Sequence, residues 1–333
     1  MCSSDLAAAA AVLRNFILIS GGPGTGKTSI VVRILGLLQQ QAGGALDIAL
    51  TAPTGKAATR LQAAIRQAKL TLPLSRDLLS AIPEQATTIH RLLGSRPDSG
   101  QFRYHAGNPL PVDALVMDEA SMVDVALMAR LLQALPAQCR LILLGDRHQL
   151  ASVEAGSVLS DIYGRASGFT PAFCRQLERV TGTGVEPSPE PGMALSDCVV
   201  TLRHSYRFDR QSGIGRLAGA VNAGDGDETL RQLRSGQRAG IALLERHEEL
   251  VPLALAGYRE YLDMAQRGAP AAAVFAAFDQ FRVLAALTVG ARGTLMLNQA
   301  IERALAAFGK AGNDAAWYAG RPVIVRRNDY NLR

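Results

Sequence analysis

A glycine-rich loop between a predicted strand and a predicted helix constrains the fold of this chain more than any other feature. Residues 21–28 read GGPGTGKT and match the pattern G-x-x-x-x-G-K-[ST]. An apolar run at residues 16–19 precedes the loop, and an amphipathic run at residues 30–38 follows it. Such glycines let backbone N–H groups converge on phosphate oxygens at the positive end of a helix. The loop therefore predicts a phosphate site; a glycine-rich turn without a ligand is the alternative.

Different residues of this loop are predicted to bind the phosphates and the metal ion of a nucleotide. Lys27 is predicted to reach the β- and γ-phosphates, and the Thr28 hydroxyl is predicted to ligate Mg²⁺. The predicted nucleotide-binding set is Gly22, Gly24, Thr25, Gly26, Lys27, Thr28 and Ser29.

Apolar runs and helical patterns alternate through the following residues. Apolar runs at 48–50, 115–117 and 141–144 alternate with helical patterns at 57–70 and 123–135. Continuous apolar strands separated by helices are typical of a parallel sheet buried on both faces. The fold class is therefore predicted to be α/β.

Polar residues follow two of these strands. Asp118 and Glu119 end the run at 115–117, where they are predicted to hold Mg²⁺ and to polarise the attacking water; capping of the helix from Val123 is the alternative. Gln149 follows the run at 141–144 and is predicted to sense the γ-phosphate, because ligands bind at the carboxyl ends of parallel strands. For Arg147 and His148 the alternative interpretation is that they are solvated loop residues.

Two further segments carry hydroxyl and cationic groups at predicted helix starts. Pro53, Thr54 and Lys56 follow one strand, and Thr88 and His90 precede a short helical pattern. Such donors suit a phosphodiester backbone, although Thr88 has an alternative role as a helix cap. A net charge of +6 is compatible with a polyanionic partner.

Composition excludes several classes of protein. With 48% hydrophobic residues the chain is not expected to be disordered, and no apolar stretch approaches the ~18 residues of a membrane helix. The 4 cysteines form no C-x-x-C pair, which favours a reducing, cytoplasmic location without a structural metal.

The order of these segments resembles a known family. GGPGTGKT, TAPTGKAATRL, TIHRLLG, VMDEASM, GDRHQLASVEAGSVL and LRHSYRF are similar to motifs I, Ia, Ib, II, III and IV of superfamily 1 DNA helicases, in particular the RecD-like family. The resemblance implies catalytic roles for Lys27, Asp118, Glu119 and Gln149, and makes Arg207 an arginine finger. Without it, Arg207 would be interpreted as a surface residue.

The resemblance also implies a domain organisation. A RecA-like motor domain is expected at residues 7–163, with an inserted hairpin, or pin, at 94–112. An irregular insertion or linker at 164–197 leads to a partial second RecA-like domain at 198–320 and the start of an SH3-like insertion at 321–333, which includes a strand at 321–325. Motifs V and VI do not occur before Arg333, so a fragment is expected.

The implied function is an ATP-dependent helicase motor that moves 5′ to 3′ on single-stranded DNA. Its cofactors would be ATP and Mg²⁺, and its substrates single strands and single-strand/duplex junctions. It would act in double-strand break repair, either with RecB and RecC as the alpha subunit of exodeoxyribonuclease V or alone. The alternatives are a non-catalytic DNA-binding assembly subunit and a P-loop ATPase that loads other proteins.

Overall fold

The computed structural model describes residues 2–95, 101–149, 158–165, 168–188, 195–209, 211–235, 240–307 and 317–324. Their contacts define two compact units, Met1–Thr229 and Leu230–Arg333. The strands are β1 (Phe16–Gly21), β2 (Ile48–Ala52), β3 (Ala86–Thr88), β4 (Ala114–Met117), β5 (Arg140–Gly145) and β6 (Val199–Leu202). The helices are α1 (Ser3–Leu13), α2 (Lys27–Gln41), α3 (Gly55–Lys69), α4 (Arg76–Ala81), α5 (Ile89–Leu92), α6 (Val125–Ala134), α7 (Val158–Arg165), α8 (Pro171–Thr181), α9 (Gly213–Ala223), α10 (Gly226–Arg234), α11 (Leu250–Gln266), α12 (Ala271–Phe278) and α13 (Thr294–Ala307).

The first unit is built on a parallel sheet of six strands in the order β3-β2-β4-β5-β1-β6. Successive residues of each central strand enter opposite cores, since side chains alternate across a strand. Ile17 and Ile19 of β1 belong to one hydrophobic cluster, and Leu18 between them belongs to the other. The prediction of an α/β fold with a sheet buried on both faces is confirmed, and the sheet is RecA-like.

Helices cover both faces of this sheet. One hydrophobic cluster contains buried residues of α1, α2, α3 and α8, and the other contains buried residues of α5, α6 and α7. The alanine-rich α1 begins at Ser3, before the predicted domain start at residue 7, and Ala7 and Ala10 are fully buried. The Arg140 side chain donates to three carbonyl oxygens at the end of α1 and so ties this helix to β5.

The structure corrects the interpretation of residues 164–197 as a linker or exposed insertion. Residues 171–181 form α8, in which Phe173 and Leu177 are buried in the first cluster. Thr170 caps the helix by accepting a hydrogen bond from the Phe173 N–H at 3.2 Å, and Pro171 occupies its first turn. The prolines and glycines on either side of α8 led to the prediction of an irregular segment. The helical spacing of Phe173 and Leu177, which form the buried face of α8, was the signal that this prediction missed.

The position of β6 also differs from the expectation that it opens a second domain. β6 pairs in parallel with β1, and Val200 and Leu202 lie in the first cluster. Asp197, just before β6, accepts hydrogen bonds from the Thr170 N–H at 2.6 Å and from the Arg14 guanidinium at 2.7 Å. This carboxylate joins the ends of α1, α8 and β6, which keeps residues 195–202 in the first unit.

The segment predicted to form an inserted hairpin contains short antiparallel pairings. Isolated bridges join Ser95 to Phe102 and His105 to Asn108, and the Asn108 side-chain amide donates to the Arg103 carbonyl at 2.9 Å. Residues 96–100 lie outside the described residues. The Phe102 ring contacts the His90 ring at a centroid distance of 5.9 Å, so the segment packs next to α5.

The described part of the second unit is helical. Tyr261 and Leu262 of α11 pack with Leu305 of α13, next to a cavity of about 300 Å³. The expectation of a strand at residues 321–325 is wrong for residues 321–324, which adopt no regular structure; Val325 lies outside the described residues. In the part of the chain that the structure describes, no helix is both long and apolar enough to cross a membrane.

Candidate functional site

A cleft of about 1040 Å³ lies at the carboxyl edge of the first unit's sheet. Because all the strand pairs are parallel, the loops that follow β1, β4, β5 and β6 meet at this edge. Among the predicted site residues, the cleft is lined by Gly24, Thr25, Gly26, Lys27, Thr28, Ser29, Asp118, Glu119, Gln149 and Arg207. Residues far apart in sequence are thus brought together, as expected for a ligand site.

The loop between β1 and α2 has the geometry of a phosphate cradle. Gly26 takes a left-handed φ of 81° at the start of α2, where no side chain caps the helix. The Lys27 ammonium folds back and donates to the carbonyl oxygens of Gly21 and Gly22, and the Thr25 hydroxyl donates to the Gly22 carbonyl at 2.9 Å. Gly22 therefore shapes the loop, although it does not line the cleft.

The segment after β6 lies directly on this loop. Gly24 has a φ of +75°, and a Cβ added there would come within 2.3 Å of the Arg207 Cβ. The Tyr206 N–H donates to the Gly24 carbonyl at 2.8 Å, and the Ser205 hydroxyl donates to the Pro23 carbonyl at 3.0 Å. Only glycine fits at position 24, and its small size brings Arg207 into the cleft.

The two acids that follow β4 face the same cleft. The Asp118 N–H donates to the Thr51 carbonyl at 3.0 Å, and one Asp118 carboxylate oxygen accepts from the Glu119 N–H at 2.9 Å. Helix α6 is capped by Asp124, whose carboxylate accepts from the Leu127 N–H at 2.8 Å. The alternative that Asp118 and Glu119 cap this helix is therefore wrong.

The electrostatic setting of Asp118 reflects its burial and its neighbours. Burial raises the pKa of the Asp118 carboxyl above its ordinary value, and the N–H of Glu119 offsets part of the rise. The charges of Lys27 and Arg60 act in the same lowering direction. The charge of Glu119 also raises the pKa of Asp118, so the net shift is upward although the two cations lower it.

Gln149 lies in the segment that follows β5. Its side-chain oxygen accepts a hydrogen bond from the Ser121 hydroxyl at 3.1 Å, which links it to the loop after β4. Arg147 and His148 are exposed and do not line the cleft, as expected for solvated loop residues; the Arg147 guanidinium stacks over the Tyr163 ring at 4.9 Å. Residues 150–157, which continue this sequence motif, lie outside the described residues.

The predicted DNA-contact residues lie outside the cleft but at the same sheet edge. Thr54 caps α3 by accepting from the Ala57 N–H at 3.2 Å, and Thr88 caps α5 by accepting from the Arg91 N–H at 3.3 Å. Pro53 is half-buried, whereas Lys56 and His90 are exposed. The capping alternative for Thr88 is thus confirmed, while the loops after β2 and β3 present exposed donors side by side.

Several cleft residues were missed by the sequence reasoning. Arg33 of α2, Arg60 of α3, Tyr206 and Ser4 of α1 all line the cleft. A sequence signal existed only for Arg60, which lies three residues after Ala57 on the face of α3 that also carries Leu61 and Ala64. Arg33, Tyr206 and Ser4 reach the cleft through tertiary packing, which no local sequence pattern predicts.

Comparison with known proteins identifies relatives of this chain. The family profile described as "AAA domain" matches residues 5–155. The chain is 37% identical to the RecBCD enzyme subunit RecD of Haemophilus influenzae over 98% of this chain and 55% of that protein. It is 39% identical to the subunit of the same name from Mycolicibacterium smegmatis over 98% of this chain and 54% of that protein.

A more distant relative has a different name and shares a shorter region. The ATP-dependent RecD2 DNA helicase of Deinococcus radiodurans is 38% identical over 42% of this chain and 16% of that protein. The chain spans about half the length of the RecD subunits that it matches, at 55% and 54%.

Proposed function

Because this chain belongs to the RecD-like family of superfamily 1 helicases, we propose that its first unit is the ATP-hydrolysing motor core of a DNA helicase. The observation that carries the proposal is the convergence of Lys27, Asp118, Glu119, Gln149 and Arg207 on one cleft. A phosphoryl-transfer site needs these parts together: a phosphate-binding lysine, a metal-holding acid, a water-orienting group and an arginine.

Each residue has a role that follows from its position. Lys27 binds the β- and γ-phosphates together with the N–H groups of the loop before α2. Glu119 orients and deprotonates the attacking water, and Gln149 reports the presence of the γ-phosphate to the loop after β4 through Ser121. Arg207 stabilises the charge that develops on the transferred phosphoryl group.

The oxygen donors in the cleft fit Mg²⁺. Mg²⁺ prefers oxygen ligands and is usually held by one or two protein groups and the substrate phosphates. Thr28 and Asp118 supply a hydroxyl and a carboxylate in the same cleft, and the described residues contain no His, Cys, Asp or Glu cluster that could hold a metal by itself. Thr28 and Asp118 would hold the ion, which supplies charge neutralisation at the phosphates.

Single-stranded DNA is the proposed track. Thr54, Lys56 and His90 are exposed or partly exposed at the ends of neighbouring strands, next to Phe102 of the inserted segment. Hydroxyls, a lysine and helix N-termini contact a nucleic-acid backbone without reading bases. In this proposal the inserted segment at 94–112 is the pin that parts the duplex.

The Lys56→Ala variant should weaken binding of single-stranded DNA and lower its salt dependence. Loss of one phosphate contact is expected to reduce the slope of log affinity against log salt by about 0.7, since each contact displaces a counterion. Titration of a labelled oligothymidine with the 333-residue chain at several salt concentrations measures this slope. Arg179→Ala, on the exposed side of α8, is the control and should leave the slope unchanged. An equal slope for Lys56→Ala and wild type would place Lys56 on a merely solvated surface.

In the cell, the proposed role is recombinational repair of double-strand breaks. The protein would act with RecB and RecC as the alpha subunit of exodeoxyribonuclease V, or alone as a RecD-like helicase. Its proposed direction of movement is 5′ to 3′.

Strand separation with tailed duplexes tests this function. The complete gene product should separate a duplex that carries a 5′ single-stranded tail, and should do so only with ATP and Mg²⁺. A duplex with a 3′ tail should remain paired, because the motor would then move away from the junction. Separation of only the 3′-tailed duplex would refute the direction, and separation of neither would refute the helicase assignment.

A further inference from the structure

The hydroxyl of Ser121 is a buried polar group with one partner. Ser121 lies in a short 3-10 turn, Ala120–Met122, that follows Glu119, and only 5% of the residue is exposed. Its hydroxyl donates to the side-chain oxygen of Gln149 at 3.1 Å, which is its one hydrogen bond among the residues that the structure describes. Because a buried hydroxyl hydrogen without an acceptor is costly, Ser121 needs the oxygen of this amide.

Close packing fixes the position of Ser121. Ala120 and Val123, on either side of it in the chain, are buried in the second hydrophobic cluster. Gly145, at the end of β5, lies against its backbone, because a Cβ added to this glycine would be 3.5 Å from the Ser121 nitrogen. The same Cβ would lie only 2.8 Å from the Leu159 side chain, so the space is already filled. The core of the first unit therefore presents the Ser121 hydroxyl at a fixed place.

The backbone of Gln149 is held by a turn that Asp146 closes. The buried Asp146 carboxylate accepts from the His148 N–H at 2.9 Å, and the Asp146 carbonyl accepts from the Gln149 N–H at 3.2 Å. The side chain of Gln149 is exposed and extends beyond this turn. The terminal torsion of a glutamine is broad and nearly twofold, so the backbone alone does not decide which end of the amide meets a ligand.

The two ends of this amide have opposite chemistry, since the oxygen accepts hydrogen bonds and the nitrogen donates them. With its oxygen bound to Ser121, Gln149 keeps an NH₂ group that has no partner in the described part of the chain, and Gln149 lines the cleft. The reversed amide would leave the Ser121 hydrogen without an acceptor and would offer an oxygen to the cleft. Phosphate oxygens are acceptors, so only the first orientation attracts a γ-phosphate.

We propose that Ser121 orders and orients the Gln149 amide, which makes Gln149 a hydrogen-bond donor to the γ-phosphate and so lets the cleft distinguish ATP from ADP. Ser121 is a positioning residue, because it does not line the cleft and acts only through Gln149. This inference rests on the proposed function, since it needs a nucleotide in the cleft.

The discrimination factor between the two nucleotides is measured by binding to the 333-residue chain. Fluorescent ADP and the matching non-hydrolysable ATP analogue are titrated with Mg²⁺, and the factor is the dissociation constant of ADP divided by that of the ATP analogue. Gln149→Ala gives the factor without the amide. Wild type should exceed this value by about tenfold or more, because a hydrogen bond to a charged group is lost in the variant.

Ser121→Ala should lower the wild-type factor by about threefold to tenfold, because ordering of the freed Gln149 side chain then opposes binding. In a Gln149→Ala background the same change should have no further effect, since two groups that act through one contact are not additive. Ser121→Thr, which keeps the hydroxyl, should retain most of the factor. Gln149→Glu, which can still accept from Ser121 but has no donor, should have a factor no higher than that of Gln149→Ala.

Ser75→Ala is the matched control for loss of a serine hydroxyl. Ser75 caps α4 by accepting from the Leu78 N–H at 3.3 Å, and it does not line the cleft. This variant should be less stable than wild type but should keep its discrimination factor, so a loss of stability alone does not imitate the expected result. The Gln149 variants change an exposed side chain, and the Gln149→Glu measurement therefore does not depend on how well Ser121→Ala folds.

Three results would overturn the inference. These are an unchanged discrimination factor in Ser121→Ala, a further loss when Ser121→Ala is added to Gln149→Ala, or the wild-type factor in Gln149→Glu. A wild-type chain that binds both nucleotides with a factor no higher than that of Gln149→Ala would also overturn it, while the nucleotide site would stand. Failure of wild type to bind either nucleotide would instead refute the proposed function, and the inference with it.

Discussion

Replacing Lys27 by Ala should weaken nucleotide binding strongly, whereas replacing Glu119 by Gln should leave binding intact and slow hydrolysis strongly. Lys27→Ala deletes the charge that holds the phosphates, and hydrogen bonds to charged groups contribute about 1.5–3 kcal/mol each, so affinity should fall on the order of 10²-fold. Glu119→Gln keeps the size of the side chain but not its basicity, and loss of a general base typically costs ~10²–10⁴ in rate.

Two measurements separate these roles. Affinity for an ATP analogue is measured on the 333-residue chain, and turnover is measured on the complete gene product. Glu178→Gln, at an exposed position of α8, controls for the loss of a surface carboxylate. Equal loss of nucleotide affinity in Lys27→Ala and Glu119→Gln would contradict the role given to Glu119.

Replacing Arg207 by Ala should lower turnover by ~10³ or more while nucleotide affinity changes far less. The reason is that an arginine finger acts mainly on charge that develops in the transition state. The contacts of Tyr206 and Ser205 with the loop before α2 hold the backbone in place, so the truncation should remove the guanidinium without moving the segment. Steady-state kinetics on the complete gene product give kcat and KM separately.

Arg216→Ala is the control for this experiment. Arg216 is exposed on α9 and does not line the cleft, so its loss should not affect kcat. If Arg207→Ala lowers kcat less than tenfold, Arg207 is the surface residue that its local sequence alone suggests.

The fold of the first unit and the phosphate-binding chemistry of its loop could be predicted from the residues alone. GGPGTGKT between an apolar strand and an amphipathic helix specifies a local structure, because glycine φ angles and helix periodicity depend on neighbouring residues. The apolar runs likewise predicted β2, β4 and β5, since continuous burial of a parallel strand is visible in its own residues. Because Asp118 and Glu119 directly follow this apolar run, they too could be predicted to lie at the carboxyl edge of the sheet, where ligands bind.

Which distant residues meet in the cleft depends on long-range packing. Strand order depends on which apolar surfaces pack together. An apolar run such as Val199–Leu202 contains no local pattern that predicts the strand with which it pairs. In the folded chain β6 pairs with β1, and this pairing places Arg207 against Gly24. The burial of α8 and the approach of Arg60 to Asp118 also depend on long-range packing. Hydrophobic contact is non-directional, so the local sequence does not predict which residues will pack together.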